Sequence, residues 1–131
     1  EDEIENIKIM GETYIEFAVK YEGYFKAILD YKNNDDLKGE NVNEELFNEC
    51  YKEGEHSLGL LKDCIMRGVN KGQITDKYEP TDICLTLWSC ILGFSSIVQN
   101  KENYIKKFHN KTSAHILETA FKIVLGSIIR R

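Results

Sequence analysis

Residues 78–98 read YEPTDICLTLWSCILGFSSIV, and the order of residue types in that stretch decides the fold class. Proline at a first helical position loses nothing, because the N–H it lacks would have no partner inside the helix. Asp82 falls in the first turn, where a negative charge meets the positive end of the helix dipole. Tyr78 and Ile83 stand at the two positions of a hydrophobic staple, while Glu79 is a mediocre cap. From there Ile83, Leu87, Trp88, Ile91, Leu92, Phe94 and Ile97 point in most directions around the axis. Pro80 is the single proline among 131 residues, so the remaining stretches run uninterrupted and favour helices over many short strands.

Working upstream, Asn43 can cap a long helix that reaches about Lys71, with Glu44 and Glu45 suiting its dipole. Phe47, Tyr51, Gly54, Leu58, Leu61, Ile65 and Gly68 form one seam on it. Leu46, Cys50, Ser57, Leu60 and Cys64 form a second, a stripe wide enough for packing on more than one side. Gly72 is placed as its left-handed C-cap. Asn33 to Asn43 reads as a polar loop. Ahead of it, Ile7, Met10, Tyr14, Phe17, Tyr21, Tyr24 and Ile28 recur at helical steps. Gly23 interrupts that stripe, which predicts two helices, about 3–20 and about 22–31. Downstream, Gln99 to Lys111 is polar with room for part of a helix. Thr112 or Ser113 then caps a last helix running AHILETAFKIVLGSIIR. The expectation is an all-α domain over residues 1–131 with five to six helices.

The totals narrow the function. The hydrophobic fraction of 42% and charged fraction of 30% fit one globular domain. A net charge of −5, with lysines interleaved among acids, argues against a duplex-binding face on this segment. The cysteines, Cys50, Cys64, Cys84 and Cys90, show no metal or redox spacing and sit among apolar neighbours. They read as reduced core residues of a cytoplasmic protein. No signal peptide is seen, no run reads as a bilayer span, and no membrane partner is expected. His56, His109 and His115 are scattered singly, and Glu53, Glu55 and His56 are explained by a charged outer face. No phosphate loop or nucleophile motif appears, so neither an enzyme nor a cofactor is expected. The chain opens at Glu1 inside a helical pattern, which predicts further sequence upstream.

Two features point to binding. The helix after Pro80 and the terminal helix, with Ile116, Leu117, Ala120, Phe121, Ile123, Val124, Leu125 and Ile128, are both apolar around most of the axis. A small domain cannot bury two such helices centrally, so the economical arrangement is a homodimer whose last two helices per chain form a four-helix bundle. Leu92, Ile116, Ala120, Ile123 and Val124 are its expected interface; the alternative is that these helices form the core of a monomer. Tyr14, Phe17, Tyr21, Tyr24 and Phe25 cluster on the first two helices, with Tyr51 and Trp88 able to face them. Such rings either line a small-molecule cavity or fill a core. Tyr14, Phe17, Phe25, Leu61, Ile65 and Trp88 are the expected pocket residues.

Three segments carry a resemblance. TYIEFAVKYEGYFKAIL (13–29), LLKDCIMRGVNKGQITDKYEPTDICLTLWSCILGFSSI (60–97) and ILETAFKIVLGSI (116–128) resemble the C-terminal domain of TetR-family transcriptional regulators. The matching positions are Gly72, Ile74, Asp76, Glu79, Pro80, Trp88, Gly93 and Gly126. Glu22-Gly23 replaces the usual proline of the first break, and Ser89 follows the tryptophan where a histidine is common. The resemblance implies a TetR C-terminal-domain-like fold that dimerises through its last two helices and encloses a small hydrophobic or aromatic effector. It also implies that DNA is bound only through an N-terminal helix-turn-helix domain not contained in this sequence. Effector binding would then move the helix joining the halves and lower operator affinity, a repressor's response. The competing reading is a helical protein–protein interaction module without a small-molecule ligand.

Overall fold

The computed structural model describes residues 2–21 and 44–130, the side chains of 44–51 and 53 excepted. Among these residues the protein is all-α, with five helices and no strand: α1 (Glu3–Lys20), α2 (Glu44–Asn70), α3 (Pro80–Asn100), α4 (Glu102–His109) and α5 (Ser113–Ile128). The helix expected at 22–31, the loop before Asn43 and the Asn43 cap lie outside the described residues.

Local chemistry sets the helix ends. Asp2 caps α1, its carboxylate accepting from the N–H groups of Ile4 at 2.9 Å and Glu5 at 3.4 Å. α2 closes on Gly72 at φ +76°, with the Gly72 N–H on the Val69 carbonyl and the Gln73 N–H on that of Gly68. This pair of bonds is a Schellman closure, which needs a residue free to turn left-handed. Pro80 sits at the first position of α3 and Glu79 makes no side-chain cap bond. Ile83 is buried while Tyr78 stays exposed, so the expected staple holds only from one side. The Thr112 hydroxyl caps α5 by accepting from the His115 N–H. The stretch after Asn100 is helical over Glu102–His109 and ends on left-handed Asn110.

α1, α2 and α3 pack mutually as a three-helix bundle; α5 lies against α3 and α1, and α4 spans α3 and α5. The core joins Ile7 and Ile15 of α1, Cys64 and Ile65 of α2, Ile83, Cys84 and Leu87 of α3, and Phe121, Leu125 and Ile128 of α5. Each large aliphatic side chain buried there contributes about 1.5–3 kcal/mol. Ile74 enters this core from the loop after α2 and occupies the space where a Gly68 side chain would stand. Gly11 serves α1 likewise, since a Cβ there would lie 2.7 Å from Phe121 Cε1.

Three expectations are corrected. The buried face of α1 runs through Glu3, Ile7, Gly11, Ile15 and Ala18 rather than along the aromatic stripe, because small residues admit the closest helix approach. Leu60, assigned to the second seam of α2, is exposed. The terminal helix stops at Ile128 because the backbone leaves it to pair. The Thr75 N–H bonds the Ile128 carbonyl at 2.8 Å, and the Arg130 N–H bonds the Gln73 carbonyl at 3.0 Å. In addition, Ile83–Asn100 carries no charged residue, which makes α3 long and apolar enough, by length and composition, to cross a bilayer.

Candidate functional site

Two of the expected pocket residues meet across the α1–α3 contact. Burial holds the Tyr14 phenol above its ordinary pKa, and the neighbouring Trp88 indole N–H, a donor only, pulls it part of the way back. Both rings are half-buried. Leu61 of α2 packs against the core, and Ile65, one turn on, is 0% exposed within it. Phe17 is 44% exposed and meets Tyr21 in a tilted ring pair with centroids 4.9 Å apart. Phe25 and the Tyr51 side chain lie outside the described residues. Tyr14 and Trp88 thus bring two rings and their polar atoms together at the α1–α3 contact. Such an environment orients a small apolar molecule through one or two polar atoms.

The expected dimer residues occupy a second region. Ile123 is 68% exposed, and Leu92, Ile116, Ala120 and Val124 are half-buried, with Val124 leaning on the core. Leu85, Ser89, Gly93 and Ile97 are exposed on α3, and a Cβ added at Gly93 meets nothing within 4 Å. The outer side of α3 therefore presents apolar and small groups to solvent without a charge.

A third cluster was not anticipated. The Glu3 side chain is 1% exposed, yet charged. Its carboxylate accepts from Lys71 Nζ at 2.6 Å and Arg67 Nε at 3.4 Å on one oxygen, and from Asn6 Nδ2 at 3.1 Å and Cys64 Sγ at 3.2 Å on the other. The Lys71 bond, followed by those of Asn6 and Cys64, holds its pKa down at about 2, against the opposing pull of burial; Arg67 adds to the lowering. Burial first, then the Glu3 hydrogen bond and charge, push the Cys64 thiol up to about 11. Cys64 therefore stays a protonated donor and a poor nucleophile. The cluster fastens the first turn of α1 to the last turns of α2. One signal for it existed in the sequence: Arg67 and Lys71 stand four apart on a helix, a like-charge pair that an anion between them relieves. At the other end of α1, Gln99 Nε2 donates to the Ala18 carbonyl at 3.1 Å.

No protein-family model matches the chain, and no curated protein or solved structure does so significantly either.

Proposed function

We propose that this chain is the effector-binding and dimerisation domain of a TetR-type transcriptional repressor. The observation that carries the reading is the uncharged, solvent-facing side of α3 together with the exposed Ile123 on α5. A second copy related by a two-fold axis would cover that side and pair α3 and α5 into a four-helix bundle. The resemblance running through Pro80, Trp88 and Gly93 supplies the family. The effector is a small hydrophobic or aromatic molecule entering between α1, α2 and α3 next to Tyr14 and Trp88. Its binding shifts α1 and, through α1, a DNA-binding domain upstream, so the operator is released when the effector favours one of two conformations.

Sedimentation equilibrium at micromolar concentration tests the assembly, with a dimer expected for the parent chain and a monomer for Leu92→Lys combined with Ile123→Asp. A stable parent monomer sinks the reading and favours a module that offers this face to another protein's helix. Trp88 is the single tryptophan of the chain, so its emission reports directly on occupancy of the site. A screen of apolar and aromatic compounds is expected to yield ligands that change the emission and lose affinity in Tyr14→Ala. Ligands that bind without disturbing Trp88 would place the effector elsewhere.

A further inference from the structure

A groove of about 230 Å³ opens on the surface between α1 and the end of α5, lined by Lys8, Phe121, Lys122, Leu125, Gly126 and Ile129. Its floor is apolar and its two cations come from different helices. None of Tyr14, Trp88 and Leu61 contributes to it. The volume lies below the ~300–1,000 Å³ of drug-sized pockets, so it suits a fragment-sized occupant. Gly126 keeps it open, since a Cβ there would meet nothing within 4 Å.

Charge selects the occupant. Lys8 has no ion-pair partner among the described residues, and Lys122 reaches only Glu118, at 3.5 Å in an exposed pair. Exposed pairs of this kind are weak and readily exchanged. We infer that the groove binds a small monoanionic amphiphile, its carboxylate between Lys8 and Lys122 and its apolar body over Phe121, Leu125 and Ile129. At about 100° per residue, Lys122, Leu125 and Gly126 lie roughly 130° around α5 from Ile116, Ala120 and Ile123. The groove therefore stays accessible when a second copy covers that other side, and it is independent of the proposed effector site.

The test titrates the full chain with octanoate, octan-1-ol and octylammonium, followed by ¹H–¹⁵N correlation spectra. Octanoate is expected to move the amide signals of Lys8, Leu125, Gly126 and Ile129 with a Kd on the order of 1 mM, the range for a ligand of so few atoms. Octanol and octylammonium should bind more weakly by roughly three- to tenfold, the worth of two exposed charge contacts. Gly126→Leu should block octanoate. Lys8→Gln combined with Lys122→Gln, two surface changes that leave the core untouched, should bring its affinity down to that of octanol. Equal binding of octanol and octanoate overturns the proposal, as does a double-lysine variant that binds octanoate normally. Shifts confined to residues around Tyr14 and Trp88, or no shifts at all, overturn it equally, and Trp88 emission identifies the former.

Discussion

Glu3 is a carboxylate removed from water and compensated at both oxygens, by Lys71 and Arg67 on one and by Asn6 and Cys64 on the other. Its pKa falls from the ordinary 4.5 to about 2 on folding. A depressed folded pKa means a contribution to stability that is complete above the unfolded value and lost as pH drops through the folded one. Glu3→Gln is accordingly expected to lower the thermal midpoint at pH 7. Its gap from the parent should narrow below about pH 5 and nearly close near pH 2. Melts followed by circular dichroism across that range check this, and a gap independent of pH would mean the cluster acts by shape alone. Tyr14 offers a second residue-level case. Tyr14→Phe removes the half-buried hydroxyl next to the Trp88 indole and should cost up to about 1.5 kcal/mol in urea unfolding, the upper net worth of a typical hydrogen bond.

α2 holds three glycines inside a helix, and their surroundings differ. Nothing stands within 4 Å of a Cβ at Gly54 or Gly59, whereas one at Gly68 would collide with Ile74. Gly59→Ala should therefore stabilise by up to about 1 kcal/mol, the helix-propensity difference. Gly68→Leu should destabilise by about 1–3 kcal/mol, because Ile74 is fully buried and cannot give way. Denaturant midpoints of the two variants moving in the same direction would refute this account. The contrast also shows what the sequence made legible. The bounds of α1, the turn at Gly72 and the caps at Pro80 and Thr112 were readable because each depends on residues within one helical turn. The Glu3 contacts with α2 and the Gln99 bond to Ala18 were not, since their partners lie 61 to 81 positions away, and the orientation of α1 was not, since Phe121 lies farther still from Gly11. The stripe of aromatic rings on α1 promised a buried face. Packing instead chose Gly11 and Ala18, for which no hydrophobic periodicity gives a signal. Of the candidate site, the meeting of Tyr14 with Trp88 was anticipated from ring content alone, while the exposure of Phe17 was not.

At the scale of the molecule, dimerisation would make stability depend on concentration, because association stabilises only the folded state. The melting midpoint of the parent should rise as the protein is concentrated, and Ile123→Asp should abolish that rise. Ile123 is already mostly exposed within one chain, so the variant should keep the stability of an isolated copy. A midpoint insensitive to concentration in the parent would argue for a monomer. The loop after α2 has a mechanical consequence of its own. Gln73 receives the Glu3 N–H on its side chain at 2.9 Å and the Arg130 N–H on its backbone carbonyl at 3.0 Å. Tension applied between residues 3 and 130 thus bears on one short clasp before it reaches the helical body. Tension applied between residues 3 and 109 bypasses the Arg130 half of that clasp. In a single-molecule trap the first geometry should show an early yielding event that the second lacks, and the clasp would shield the packed helices from strain transmitted along the chain.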